Sequence, residues 1–206
     1  MPPLNDRNWA AREMRVSASE IAALMPEGHP FLDSRDVWDR LSGLRLPIEP
    51  NHAMQLGTIL EPAILRAATM RWGWRVITNS HTYVHRTSPL CATPDARIVG
   101  EDALVEVTYS GNPTSWQSLP AHVWWQCQAQ MMCTGAQRVE VAVLAGPLRR
   151  FTVERNLTAA RRIGTACRDM LESVRRQTPP DHIVRDRSFI NTRRGDIPES
   201  ILTGDK

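Results

Sequence analysis

The chain has 206 residues and a formal net charge of +3 at pH 7. This length suits one domain with a sizeable core, and no segment has the roughly 20 consecutive apolar residues that a membrane span requires. The polar N-terminal segment, residues 1–15, lacks an apolar signal core. The sequence therefore predicts a cytoplasmic protein without a membrane span.

Arginine supplies nearly all of the positive charge. The chain has 25 basic residues, and Lys206 is the only lysine among them. A GC-rich coding sequence is the simpler explanation of this bias, and a demand for bidentate phosphate contacts is compatible with it. In both cases the chain has no internal lysine that could act in an active site.

The first half of the chain is predicted to be helical. Ser17 is a typical N-cap residue, and Pro26, Gly28 and Pro30 end the helix that it begins. The helices are expected over residues 9–12, 17–24, 34–41 and 54–71. In the longest one, an apolar stripe is predicted to face the core, formed by Leu56, Ile59, Leu60, Ile64 and Ala67 or Ala68.

After Trp74 the hydrophobic period changes from that of a helix to the alternation of strands. Pro120 is expected in the first turn of a later helix, and Gly135 is expected to end it. Strands are predicted over residues 75–78, 82–85, parts of 90–99, 103–109, 139–144 and 151–153, and helices over 120–133 and 157–176. The continuous apolar run 139–144 predicts a strand that is buried on both faces.

Helices, a run of strands, and then helix, strand and helix predict an α/β fold with a mixed central sheet flanked by helices and a helical N-terminal part. We expect a single domain over residues 1–180 and a polar tail over 181–206. The four cysteines have no metal-ligand spacing, because even the nearest pair, Cys127 and Cys133, does not share a helix face. They are predicted to be free thiols.

Two acids are the first candidates for a functional site. Alternation along residues 104–108 places Glu106 and Thr108 on one face of a strand, and a turn at 100–102 would bring Asp95 close to them. Hard cations such as Mg²⁺ prefer carboxylate oxygen, so the pair could bind this metal. The ordinary alternative, in which one acid caps a turn and the other faces solvent, stays open.

Glu61 strengthens the metal-site hypothesis. It lies among apolar residues on a helix that otherwise suits burial, where a lone carboxylate is unfavourable unless it is paired or bound to metal. A buried ion pair with an arginine explains the position equally well. Gln126 and Gln130, at i and i+4 on a predicted helix, could orient a water or a nucleotide, although exposed glutamine on a solvent face is the ordinary explanation.

Several blocks of the sequence, taken in order, resemble the lambda-exonuclease-like (YqaJ) viral recombinase family of the PD-(D/E)xK nucleases. The resemblance spans roughly residues 9–176. Its motifs are Trp9…Arg12…Val16-Ser17-Ala18-Ser19, Gly57-x-x-x-Glu61-Pro62, Thr93-Pro94-Asp95, Leu104-Val105-Glu106-Val107, Gln126-x-Gln128-x-x-Met131-x-x-Thr134-Gly135 and Val153-Glu154-Arg155.

The resemblance implies a restriction-endonuclease-like core and a Mg²⁺- or Mn²⁺-dependent exonuclease that resects duplex DNA from 5′ ends. It also implies a single-strand annealing protein as partner, a homo-oligomeric ring such as a trimer, and a phage or prophage gene expressed in a bacterial host. By the same resemblance, Asp95 and Glu106 would bind the metal with Glu61 beside them, and Gln126 would be the motif glutamine. Arg12, Ser19 and Thr93 would hold the 5′ phosphate.

Two positions depart from the family pattern. Ala96 follows Asp95 where glycine is usual, and Thr108 stands where the family has the catalytic lysine. Threonine has no charge with which to stabilise the developing phosphorane. Arg97, two residues beyond Asp95, is the candidate for compensation.

The missing lysine leaves three functions open. The first is a working exonuclease, and the second is a DNA-end-binding protein with impaired or lost cleavage. The third is an engineered inactive variant in which lysine was changed to threonine. Retention of the three acids favours surviving metal chemistry, whereas Thr108 favours the other two functions.

Overall fold

The computed structural model describes residues 13–44, 52–112 and 116–181. Within them, the helical segments are a 3₁₀ helix at Ala18–Leu24, α1 at Ser34–Leu41, α2 at His52–Trp72, α3 at Ala121–Thr134 and α4 at Leu157–Arg175. The strands are β1 at Val16–Ser17, β2 at Val76–Thr78, β3 at Tyr83–Val84, β4 at Leu90–Ala92, β5 at Ala96–Ile98, β6 at Ala103–Tyr109, β7 at Arg138–Leu144 and β8 at Leu148–Glu154. None of the helices in these ranges is long and apolar enough to cross a membrane.

The predicted mixed sheet is confirmed. Five strands pair in the order β2-β5-β6-β7-β8, and β6 runs parallel to β7 while the other neighbours are antiparallel. A smaller sheet has the order β1-β4-β3. Because β6 and β7 occupy the middle of the larger sheet, both carry nearly continuous apolar sequence, which is typical of strands that are covered on both faces.

Side chains of β6 alternate between two apolar clusters. Leu104 belongs to a cluster with the 3₁₀ helix, α1, α3 and α4, whereas Val105 and Val107 pack with Ile64 and Ala68 of α2. The sheet therefore lies between α2 on one face and the remaining helices on the other. This alternation aims Glu106 at the α3 side.

Local sequence signals explain where two helices begin and end. Asp33 caps α1, because its Oδ1 accepts a hydrogen bond of 2.9 Å from the amide of Asp36. Gly135 ends α3 in the left-handed conformation, with φ of 83°, as predicted. Pro120 is the N-cap of α3 and lies just before the first turn in which it was predicted.

The core stripe predicted for α2 is wrong at Ile59, and of the alternatives Ala67 and Ala68 it is Ala68 that faces the core. Ile59 is 72% exposed and Ala67 is also exposed, whereas Ile64 and Ala68 are buried as expected together with Leu65. The buried residues all lie in the C-terminal half of the helix, and Leu60 is partly buried against the same cluster of sheet residues. The helix predicted over residues 9–12 lies outside the described residues, as does the predicted tail apart from Asp181, so the division into domains stays a prediction.

Candidate active site

Six residues that the sequence analysis selected line one cavity of about 150 Å³. They come from five parts of the fold: the 3₁₀ helix, α2, the connection from β4 to β5, β6 and α3. These residues are Ser19, Glu61, Thr93, Asp95, Glu106 and Gln126, and the rest of the lining is Ser17, Ala18, Val107 and Gln130. The fold thus brings together side chains that are up to 113 positions apart in the sequence, from Ser17 to Gln130.

The two central acids are joined through the backbone of β6. Asp95 directly precedes β5, and its Oδ2 accepts a hydrogen bond of 2.7 Å from the amide of Val107. Val107 follows Glu106, so this bond fixes Asp95 beside Glu106. The predicted turn forms, with Gly100 in the left-handed region at φ of 80°, and it connects β5 to β6 as an antiparallel pair.

Glu106 is held by two glutamines of α3. Nε2 of Gln126 donates to its Oε1, and Nε2 of Gln130 donates to its Oε2, both at 2.5 Å. Gln130 is 1% exposed, so the ordinary explanation of a solvent-facing glutamine is wrong for it. The sequence placed both glutamines on one helix face, but the family resemblance assigned only Gln126 to the site, and nothing local indicated that the same face would bury Gln130.

The electrostatics of the cavity disfavour ionised carboxylates. Burial raises the pKa of Asp95 well above its ordinary value, and the charges of Glu106 and Glu61 raise it further. Burial also raises the pKa of Glu106 to about 7, an effect that the Gln130 amide opposes and Glu61 reinforces. A cation between these groups would offset both burial and mutual repulsion.

The residues present fit a hydrated divalent metal better than a fully protein-coordinated one. Among the described residues, no group of three or more His, Cys, Asp or Glu side chains is arranged to hold a metal by itself. Mg²⁺ usually keeps several waters and takes only one or two carboxylates together with substrate phosphates. Asp95 and Glu106 supply such a pair, and Glu61 adds a third negative group to the wall of the same cavity.

Hydroxyl groups form the rest of the polar lining. Oγ of Ser19 lies 3.0 Å from Oγ of Ser17, and Oγ1 of Thr93 lies 2.9 Å from Oγ1 of Thr82. The 3₁₀ helix that carries Ser19 is anchored to α1, because Arg40 binds the Glu20 carboxylate with both Nε and Nη2 at 2.5 and 2.7 Å. Ser17 was not selected from the sequence, although it lies in the same serine block as Ser19.

Two selected residues do not line the cavity, and a third lies outside the described residues. Thr108 is half-buried and follows Glu106 on the same face of β6, but it is not part of the lining. Arg97 points to the turn, where its Nη2 lies 3.9 Å from Oδ1 of Asp102. Arg12 lies outside the described residues. Within the described part of the chain, neither arginine nor lysine lines the cavity.

Comparison with known families gives a match over most of the chain. The model of the YqaJ-like viral recombinase domain matches residues 8–137. The chain belongs to this family. The match covers Asp95, Glu106, Glu61 and Gln126, and it ends just beyond α3.

Solved structures support the same fold. The alkaline exonuclease LHK-Exo from Laribacter hongkongensis has a TM-score of 0.70 at 24% identity, covering 84% of this chain and 94% of that one, and its complex with dAMP has a TM-score of 0.71 at the same identity and coverage. A phage-related exonuclease from Haemophilus somnus 129PT has a TM-score of 0.57 at 10% identity, covering 79% and 96% of the two chains. A comparison with curated proteins gives no match. Family and fold together support a phage-type DNA exonuclease, and nucleases of this type generally use divalent metals.

Proposed function

We propose that this YqaJ-family protein is a Mg²⁺-dependent deoxyribonuclease that resects duplex DNA from 5′ ends by phosphodiester hydrolysis, with Mn²⁺ as an alternative metal. The observation that carries the proposal is the convergence of Asp95, Glu106, Glu61 and Gln126 on one cavity whose wall also presents hydroxyl groups. Buried carboxylates with raised pKa values are unfavourable for folding. Such groups are concentrated at catalytic and binding sites, which supports a functional role for this pair.

In this proposal Asp95 and Glu106 hold the metal, which, when bound, activates a water and offsets charge on the phosphate. The chain's own contribution is orientation. The Val107 amide fixes Asp95, and the amides of Gln126 and Gln130 fix both oxygens of Glu106. Each carboxylate then keeps one direction when a substrate enters, which reduces the reorganisation that reaction requires.

The substrate end is proposed to meet the hydroxyl side of the cavity. Hydroxyl groups and arginine are common partners of nucleic-acid phosphates. Ser19 and Thr93 line this side, and Arg12 is assigned to the same 5′ phosphate on the resemblance alone. Glu61 would repel the phosphate unless a metal offset its charge. DNA binding at the cavity is therefore expected to depend on the metal.

A second candidate function rests on the composition of the cavity. Its described lining has three carboxylates and no cation, and Thr108 replaces the family lysine. These facts favour a DNA-end-binding protein with impaired or lost cleavage, whether natural or engineered. The three acids are more than such a protein needs, which is why the nuclease is the first candidate.

One assay separates the two candidates. The protein and a Thr108→Lys variant are incubated with 5′-phosphorylated linear duplex DNA in Mg²⁺ or Mn²⁺, with Glu106→Gln as the negative control. A lysine at 108 starts about 7 Å along the strand from Glu106, so its amine can reach the cavity, and we expect faster digestion by this variant. If both the protein and Thr108→Lys bind the DNA and neither digests it, the second candidate is supported and the nuclease is refuted.

Strand labels and assembly measurements test the finer parts of the proposal. Release of label from the 5′ end before the 3′ end would support the proposed polarity. The family resemblance also leads us to propose a homo-oligomeric ring such as a trimer, a single-strand annealing partner, and action in the cytoplasm of a bacterial host on behalf of a phage or prophage. Light scattering coupled to size exclusion would test the ring.

A further inference from the structure

A second cleft of about 520 Å³ lies between α4, the C-terminal end of α3 and the turn from β3 to β4. It shares none of its described lining residues with the candidate active site. Its residue from α3 is Met132, which lies roughly 120° and 160° around the helix from Gln126 and Gln130. The body of α3 therefore separates the two sites.

The cleft is basic. Arg161, Thr165 and Arg168 follow each other at i, i+4 and i+7 on α4, so they share one helix face, and Arg155 precedes the helix. No carboxylate of the described residues lines the cleft, and none forms an ion pair with these three arginines. This differs from the end of the same helix, where Arg175 and Arg176 both pair with Glu172.

The remaining polar groups are arranged to donate hydrogen bonds. Nδ1 of His85 accepts a hydrogen bond of 3.0 Å from the amide of Ser88, which leaves Nε2 as the donor of that ring. Oγ1 of Thr165 accepts from Nη2 of Arg168 at 3.2 Å, which leaves its own hydrogen available. Arginines, hydroxyls and this imidazole together suit a ligand rich in anionic acceptors.

The shape of the cleft suits an extended ligand. Arg161 and Arg168 are two helical turns apart, about 10 Å along the axis. A ligand with several linked anionic groups can contact both arginines, whereas a single small anion can contact only one. Gly164 lies between them, where a Cβ would be 3.4 Å from both Ser88 Oγ and Arg168 Nη1, close to ordinary van der Waals contact.

We propose that this cleft binds the phosphate backbone of DNA at a place separate from the active site. Arginine, serine and threonine are the residues that commonly contact nucleic-acid phosphates. The inference rests on the proposed function, because it assumes that DNA is the substrate, and it adds a site that holds DNA outside the catalytic cavity. An acidic protein segment offers similar acceptors but lacks the regular spacing of backbone phosphates.

The test is the salt dependence of DNA binding. Fluorescence anisotropy with a short 5′-phosphorylated duplex in EDTA compares the full chain with the double variant Arg161→Ala/Arg168→Ala. The matched control is Arg175→Ala/Arg176→Ala, which removes the same charge from the same helix outside the cleft. A second double variant, Arg161→Lys/Arg168→Lys, keeps the positive charge. It separates the loss of charge in the alanine variant from any loss of packing by the long side chains.

The slope of log affinity against log salt is negative, and loss of two phosphate contacts reduces its magnitude by about 1.8. Between about 50 and about 200 mM salt, the full chain should therefore lose roughly tenfold more affinity than the alanine variant. The Arg175/Arg176 control and the lysine variant should both follow the full chain.

The outcomes distinguish this inference from the proposed function. If the full chain binds DNA and the alanine variant keeps its salt slope, the cleft is not a DNA site and the proposed nuclease is unaffected. If the full chain binds no DNA with or without divalent metal, both proposals fail. If the alanine variant loses binding to a poly-glutamate probe while its DNA binding is unchanged, the cleft is a protein-docking site and the inference is overturned.

Discussion

Replacing Glu106 with glutamine should make the metal-free protein more stable while removing its metal site. The carboxylate is buried beneath α3 and accepts hydrogen bonds from Gln126 and Gln130. Glutamine has nearly the same shape but no charge. Oε1 of Gln130 is a buried acceptor with no partner in the described part of the chain, so Gln130 can turn its amide and accept a hydrogen bond from the new side chain.

The magnitude follows from the raised pKa of Glu106. A change from the ordinary value of 4.5 to about 7 corresponds to about 3 kcal/mol at about 1.4 kcal/mol per pH unit. A carboxyl whose pKa is raised by folding favours the folded state below its unfolded pKa, and this advantage is lost as the pH rises toward its folded pKa. The protein should therefore lose up to about 3 kcal/mol of stability between pH 4.5 and about 7 through this residue.

Urea unfolding in EDTA at about pH 5 and about pH 8 measures this effect. At the higher pH, Glu106→Gln should exceed the unmodified protein by about 2–3 kcal/mol in free energy of unfolding, or roughly 4–12 °C in Tm for a domain of this size. At the lower pH the difference should shrink. Adding Mg²⁺ or Mn²⁺ should then raise the Tm of the unmodified protein and leave that of the variant unchanged.

Glu140 provides the control because the same change there should have the opposite sign. It is 1% exposed, and its carboxylate accepts hydrogen bonds from Arg138, Arg150 and Thr152. Burial alone would raise its pKa, but these partners outweigh burial and lower it. Glu140→Gln should therefore destabilise the protein at pH 8 by at least about 1 kcal/mol. Equal destabilisation by Glu106→Gln would refute the reasoning about the cavity.

Four further predictions concern the same residues and their neighbours. Metal affinity, measured by calorimetry, should weaken as the pH falls below about 7, because protons compete with the metal for Glu106; pH-independent affinity would contradict the ligand assignment. Gln130→Met removes a hydrogen bond that lowers the pKa of Glu106, so the pH profile of metal binding should move upward, and an unmoved profile would show that this bond does not tune the acid. Arg97→Ala should leave DNA cleavage unchanged, since Arg97 is directed at Asp102, and a large loss would restore it as the substitute for the missing lysine. Gly135→Ala should lower the free energy of unfolding by about 1 kcal/mol because of its positive φ, and no change in urea unfolding would contradict the assignment of this cap.

Local pattern was sufficient for much of the fold. The bounds predicted for α1 and β6 agree with the structure because each has a clear hydrophobic period and strong flanking signals, such as Asp33 before α1. The approach of Asp95 to Glu106 was also predictable, since a short turn connects the two strands. Neither prediction depended on contacts with distant parts of the chain.

Faces that depend on distant partners were harder to predict. Ile59 fits the helical period of a core residue, yet it is exposed, whereas the next residue, Leu60, packs partly against the sheet. Arg97 has the right parity to face the acids, but its guanidinium lies 3.9 Å from Asp102 at the turn and does not line the cavity. The local sequence around Gln130 does not distinguish it from an exposed helical glutamine. It is buried because α3 packs over Glu106, to which Gln130 donates a hydrogen bond.

The sequence by itself determined the family, the order of the elements and the acids of the candidate site. It also determined that position 108 is threonine and that no other internal residue is a lysine, whatever the tertiary structure. The tertiary structure decided which of these residues share a cavity, which arginines are paired, and that a second, basic cleft exists beside α4. The physical reason is that periodicity fixes the direction of a side chain only relative to its own helix or strand, whereas burial, charge pairing and pKa depend on the element that packs against it.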